Sequence, residues 1–476
     1  MIKIGKKEAL YGYVDIILAQ LANIIVLPIV LNLVDTEEYA IWNVFVSIQA
    51  FVILFESGFS VVVARFTTYA YSGAESIPLS GKPHVKQDFI NYDLLNEILF
   101  VSKQLYKKIA LIASLVLVIA TGYIYYIAQD CTNIKEIILA WLIFSGGVAL
   151  SLYFTFYTSF LKGAGKIKEM RIISIISSIM QAVLKIIFVL VGWGLMGISL
   201  AVTIVIIYKR FSVRHHVLRI LSESGKETFV IREEKKEEIK RSLNANAKQL
   251  GWVVIAQYVE NQGTTLICSA FLPLTVIGRY GLTLQILSVI ASIATTPTTT
   301  FQPVLNQYVV GGKMKELKKL YSLLTVIITM TFWIGTIVAA IFVPYLLNVI
   351  HSKTRMLTGV TLIVMAFYQF EIIMHQRATK LISYSNVQPY VKSYILTAAG
   401  ELIIAVVAFI GFKTSIINYV IGLAIAELYN FVIWVKRAAA LVDYSVLELY
   451  VNGGKEIVNY IKSFGERLYK SCTKTS

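Results

Sequence analysis

Charge is what this sequence has least of. Only 15% of its 476 residues are Asp, Glu, Lys or Arg, while 57% are hydrophobic and the mean hydropathy is +0.69. A water-soluble core of that composition would have too little polar surface to cover it. Cysteine is scarce as well: Cys131, Cys268 and Cys472 form no metal or redox spacing, which argues against a disulfide framework. Catalytic signatures are missing. There is no G-x-x-x-x-G-K-[ST] phosphate loop, no H-E-x-x-H and no G-x-S-x-G, and Gly311-Gly312-Lys313 lacks the spacing of a phosphate loop. The chain is therefore not expected to be an enzyme, and ATP-driven transport would need a separate subunit.

What is present is a series of twelve long apolar stretches. A membrane span needs roughly 20 apolar residues, and spans are expected near 10–33, 38–62, 108–128, 136–159, 172–191, 193–211, 247–271, 276–300, 318–345, 356–378, 390–411 and 414–436. The fold expected is an all-α polytopic membrane protein. The first apolar run is too long for a cleavable signal peptide and lacks a small-residue cleavage site.

The net charge of +16 would suit a nucleic-acid binder if it formed one surface. Its distribution is different. With the N-terminus placed in the cytoplasm, the outer loops hold only Lys135, Arg279, Lys353, Arg355 and Lys413, and Lys185 lies inside a span. The remaining basic residues fall on the inner side, which is the positive-inside pattern and puts both ends in the cytoplasm. The basic charge then faces anionic lipid headgroups, and no nucleic-acid partner is implied.

Six spans lie on each side of a cytoplasmic linker, 212–246, that carries the mixed charge run Arg232 to Glu238. The division expected is an N-terminal lobe at 1–211, that linker, a C-terminal lobe at 247–436 and a cytoplasmic interfacial tail at 437–476. Short similarities recur in order: Gly12-Tyr13-Val14 with Gly251-Trp252-Val253, and Leu161-Lys162-Gly163-Ala164 with Leu381-Ile382-Ser383-Tyr384. An even number of spans makes this a parallel repeat, and transporters built so bind substrate between lobes that rock.

Polar and ionisable residues inside the spans are functional candidates because each costs at least a few kcal/mol to insert. In span seven Gln257, Glu260, Asn261 and Thr264 share one helical face; in span five Ser174, Ser178, Gln181 and Lys185 do the same. Glu401 ends a stripe in span eleven, and Asp15 and Asn23 share a face of span one. Glu371 and His375 stand four apart in span ten, as a proton-coupling pair or a static ion pair. Glu427 in span twelve and Glu56 near the inner end of span two complete the acidic set, while Arg65 lies close enough to an inner end to snorkel. For the uncharged members the alternative is interhelical hydrogen bonding, at roughly 0.6 kcal/mol each.

The first two spans resemble Wzx-type polysaccharide flippases of the multidrug/oligosaccharidyl-lipid/polysaccharide exporter superfamily. The likeness rests on Leu27-Pro28-Ile29-Val30-Leu31, on Glu37-Glu38-Tyr39-Ala40-Ile41-Trp42, and on Glu56-Ser57-Gly58-Phe59 leading to Ala64-Arg65-Phe66. The basic stretch Lys162 to Arg171 and the six-plus-six layout extend it over the chain. The resemblance implies a MATE-like fold in a bacterial cytoplasmic membrane. It also implies transfer of undecaprenyl-pyrophosphate-linked oligosaccharide to the outer leaflet, beside other polysaccharide assembly proteins. Lys185, Gln181, Gln257, Asn261, Asn23 and Arg65 would line the substrate cavity. Glu260, Glu371, His375, Asp15, Glu56, Glu401 and Glu427 would handle a coupling ion, H+ or Na+, with no other cofactor. Because the span interiors are richer in acids than in cations, a cation-coupled multidrug antiporter of the same superfamily is the alternative. A membrane-embedded glycan polymerase or ligase is a third reading, disfavoured by short outer loops.

Overall fold

The computed structural model describes residues 26–56, 58–77, 90–223, 233–310, 312–383, 389–408 and 415–472. Among these the secondary structure is helical and no strand occurs. They fall into two compact units. The first runs up to Gly278 and includes Leu347–Thr354; the second comprises Arg279–Leu346 and Arg355–Ser476.

In the first unit, α1 (26–33) is followed by α2 (Thr36–Ile53), α3 (Phe59–Tyr71), α4 (Tyr92–Ala128), α5 (Ile134–Gly163), α6 (Ile167–Leu190) and α7 (Gly194–Ser222). Then come α8 (Glu233–Tyr258), a π-helical turn at Val259–Gly263, and α9 (Thr264–Phe271). Lipid tails are as apolar as leucine, so helices in a bilayer associate mainly by close packing at small residues. A Cβ at Gly147 of α5 would stand 2.9 Å from Thr203 Oγ1 of α7. A Cβ at Gly163 would stand 2.2 Å from the Ala64 carbonyl of α3, whose Thr68 donates its hydroxyl to the Gly163 carbonyl at 2.9 Å. Gly163→Ala is therefore expected to force α3 off α5 and cost about 1–3 kcal/mol, as overpacking typically does. A thermal unfolding midpoint equal to wild type would contradict that.

Span two, expected as one continuous helix, is broken. A 3-10 turn at Leu54–Glu56 and Gly58 at φ 84° separate α2 from α3. Glycine takes that backbone conformation without penalty. The Glu56 carboxyl bonds the Ser60 backbone N–H and hydroxyl, so the exposed N-terminus of α3 is satisfied inside the protein.

The segment Leu347–Thr354 is clasped to the turn between α1 and α2. Lys353 donates its backbone N–H to Leu31 at 2.8 Å and its ammonium to Asp35 at 2.7 Å, and Thr36 donates to the Lys353 carbonyl at 2.7 Å.

The second unit holds most of α10 (Leu274–Val310) and of α11 (Met314–Val349), with α12 (Gly359–Ser383), α13 (Val391–Val406), α14 (Ile416–Leu441) and α15 (Val446–Cys472). Sixteen of the 25 residues of α12 are buried, so it is packed on nearly every side. The tail helix α15 opens on a capping box, in which Ser445 donates its N–H to Glu448 at 2.6 Å and Glu448 donates back at 3.2 Å. It lies on α11, where a Cβ at Gly453 would meet the Ser322 carbonyl at 2.3 Å and Lys319 pairs with Glu456 at 3.0 Å.

Among the described residues, eight helices are long and apolar enough to cross a membrane. The chain is a multi-pass membrane protein. Of the other four expected spans, the first lies largely outside the described residues, and the seventh carries the π turn. The tenth is loaded with Gln369, Glu371, His375 and Arg377, and the eleventh is described over only 16 residues of α13.

Candidate functional site: a buried acid cluster

Three helices of the second unit bring ionisable groups together. Glu371 and His375 come from α12, Glu401 from α13 and Glu427 from α14; the first, second and last are 0% exposed and Glu401 is 1% exposed. His375 Nδ1 contacts the Glu427 carboxyl directly. Glu401 accepts the Tyr368 hydroxyl at 2.8 Å, and Asn430, 0% exposed, stands one turn beyond Glu427 on α14. Glu427 is near enough to repel both Glu371 and Glu401. Neither carboxyl oxygen of Glu371 has a protein hydrogen-bond partner among the described residues. The His375 ring stands edge-on to Tyr394 with centroids 4.9 Å apart, and Tyr394 shares a 3.0 Å hydrogen bond with Thr379.

This differs in one respect from the spacing argument. Glu371 and His375 stand four apart on α12, but His375 pairs across to α14 and Glu427 becomes the hub. Three carboxyls and one imidazole in an apolar setting cannot all be ionised together without a bound proton or cation to offset the charge. Among the described residues no group of three or more His, Cys, Asp or Glu has metal-holding geometry.

The first unit holds a different constellation. The Tyr106 hydroxyl of α4 donates to Glu56 at 2.5 Å. Arg210 of α7 attracts Glu56 and is held by Ser151 at 2.9 and 3.0 Å and by Thr158 at 2.9 Å, both on α5. Lys185 of α6 is half-buried, with its ammonium 5.4 Å from the Trp42 ring centroid. Trp42 belongs to an aromatic group in which Phe45 and Trp141 stand 4.9 Å apart and Trp42 and Phe144 5.2 Å. A cation over an indole face is stabilised by about 0.5–2 kcal/mol.

Gln181 is half-buried on α6 one turn before Lys185, and Gln257 is half-buried on α8. Arg65 is exposed, with its guanidinium 5.8 Å from the neighbouring Phe66 ring. Glu260 and Asn261 fall on the π turn, which winds the chain differently from the regular helix behind the expected stripe; their side chains lie outside the described ones. Asp15 and Asn23 lie outside the described residues. Tyr368, Asn430, Tyr106 and Arg210 went unnoticed in the sequence. Asn430 was findable, standing three residues after Glu427; Arg210 looked like ordinary charge at the inner end of span six.

No family profile and no curated protein matches the chain. Solved structures do. A multidrug resistance MATE family transporter of the MOP superfamily, in an inward-facing conformation, superposes with TM-score 0.61 at 12% identity, covering 91% of this chain and 95% of that one. An outward-facing structure of a transporter of the same description gives 0.58 at 11%, covering 92% and 96%. A MOP superfamily transporter from Pyrococcus furiosus, described as having a binding pocket of reverse polarity, gives 0.51 at 11%, covering 93% and 96%. At such identities the likeness establishes the fold, and the fold is MATE-like.

Proposed function

We propose that the chain is a cation-coupled exporter working by alternating access, with the α12–α14 acid cluster as its ion-loading site. The observation that carries the reading is Glu427, in contact with His375, with Glu371 and Glu401 close by. Buried carboxyls in a transport fold give a carrier groups that can load a proton or cation in one state and release it in the other. The MATE-like fold supports antiport of an amphipathic organic cation as the leading reading. In reconstituted vesicles, uptake of such a cation should follow an imposed proton or sodium gradient; uptake indifferent to both would defeat the proposal.

A second reading, flipping of a lipid-linked oligosaccharide pyrophosphate, draws on the likeness of the first two spans to Wzx flippases and on Lys185. A half-buried ammonium beside Trp42 suits an anionic headgroup better than an organic cation. Lys185→Gln separates the two. At unchanged membrane abundance it is expected to slow transfer of a pyrophosphate-linked sugar and leave organic-cation export intact or faster.

The setting proposed is a bacterial cytoplasmic membrane with both termini inside and two six-span lobes joined at 212–246. Cysteine placed at Lys353 should then react with an impermeant thiol reagent from outside, and one at Lys235 should not. Cys131 gives little background: burial, and after it the Glu37 carboxylate, push its thiol up to about 11, so it stays protonated near neutral pH. Labelling at position 235 in intact cells would overturn this topology.

A further inference from the structure

A cavity of about 350 Å³ opens on the first unit, lined by Phe100, Lys103, Gln104 and Lys107 of α4 and Tyr153 of α5. Its α4 residues follow the i, i+3, i+4, i+7 spacing of one helical face. Lys236 of α8 adds a third ammonium, 5.6 Å from the Phe100 ring centroid. Among the described residues neither Lys103 nor Lys107 makes an ion pair or hydrogen bond. The neighbouring acid Glu237 is already engaged by Lys240 at 2.9 Å. Two free ammonium groups, a glutamine amide and a tyrosine hydroxyl around one cavity make a donor set for a phosphate.

What lies beyond the cavity identifies the source of that phosphate. The face continues from Lys107 to Leu111 and Leu115, and then to Val118, which are 62%, 63% and 69% exposed. At 1.5 Å per residue, Val118 stands about 16 Å from Lys107 along the helix axis. That matches half of a hydrocarbon core roughly 30 Å thick. A soluble phosphate would use the cavity and ignore the stripe; a lipid uses both.

The geometry points to a binding site for an anionic phospholipid, its phosphate headgroup on Lys103 and Lys107 and an acyl chain along Leu111, Leu115 and Val118. The site is independent of what the protein exports. It holds one lipid at the end of α4, next to α8, at the level where the helix leaves the apolar layer.

Native mass spectrometry of the full-length protein, titrated with phosphatidylglycerol or with zwitterionic phosphatidylcholine, tests this. Phosphatidylglycerol is expected to be retained preferentially. The double variant Lys103→Gln/Lys107→Gln should weaken that retention about thirtyfold, from roughly fivefold per lysine at a membrane surface. A control pair, Lys135→Gln with Lys392→Gln, removes the same charge elsewhere and should change nothing. Inorganic pyrophosphate is the free-phosphate arm and should not displace the lipid at equal concentration. On the wild-type protein, phosphatidylglycerol with a photoreactive acyl chain should label the 100–119 stretch. Equal retention by both double variants, displacement by pyrophosphate, or labelling confined to other helices would each overturn the assignment.

Discussion

Glu427→Gln is expected to uncouple transport from the ion gradient. Glutamine keeps the shape of glutamate, so packing of α14 against α12 should survive. What it removes is the charge that meets His375 and repels Glu371 and Glu401. If this hub carries the coupling ion, gradient-driven export should fall by about 5- to 150-fold, the span of typical coupling free energies. Downhill equilibration of the same substrate should persist. Glu371→Gln should act in the same direction but less, because Glu371 touches the cluster through repulsion alone. Vesicles given proton and sodium gradients separately, with protein abundance checked, resolve the effect. Wild-type gradient dependence in Glu427→Gln would make the cluster structural.

How much of this was legible in the sequence depends on the kind of signal. Eleven of the twelve expected spans correspond to described helices, because a run of roughly 20 apolar residues has few other fates. The breaks were harder to see. Span two reads as continuously apolar on both sides of Glu56, and Gly58 alone does not announce a 3-10 turn. What makes the break tolerable is tertiary: Tyr106 bonds Glu56, and the charge of Arg210 acts on it, both from helices distant in sequence. The π turn at Val259–Gly263 likewise alters a periodicity that looked regular along Gln257 to Thr264.

The candidate site shows the same division. Glu371, His375, Glu401 and Glu427 stood out because ionisable residues in spans are costly and therefore rare. Their pairing was not readable, since periodicity describes one helix at a time. It joined Glu371 to His375, whereas packing of α12 on α14 gives His375 to Glu427. Polarity marks which residues need partners; only packing decides which partners they receive.

Arg210 offers the second large effect, on stability. Its guanidinium is fixed by Ser151 and Thr158, and it is the cation attracting Glu56, which is 8% exposed at the α2–α3 break. Arg210→Gln would leave that carboxylate with Tyr106 and Ser60 but without its counter-charge. Taking away a nearby compensating charge, together with the hydrogen bonds that hold it in a buried site, costs about 1–3 kcal/mol. Arg210→Gln should therefore unfold at a clearly lower temperature in detergent, with α3 and α7 loosening first in hydrogen exchange. Glu56→Gln alone should be milder, because a neutral amide still bonds Tyr106 and α3 keeps an acceptor at its start. The double variant Arg210→Gln/Glu56→Gln carries no unpaired charge and should recover much of the loss. Were the double variant as unstable as the sum of the two singles, the arginine would act through its bonds to α5 instead of through Glu56. The break in span two would then be held by Tyr106 and Ser60 alone.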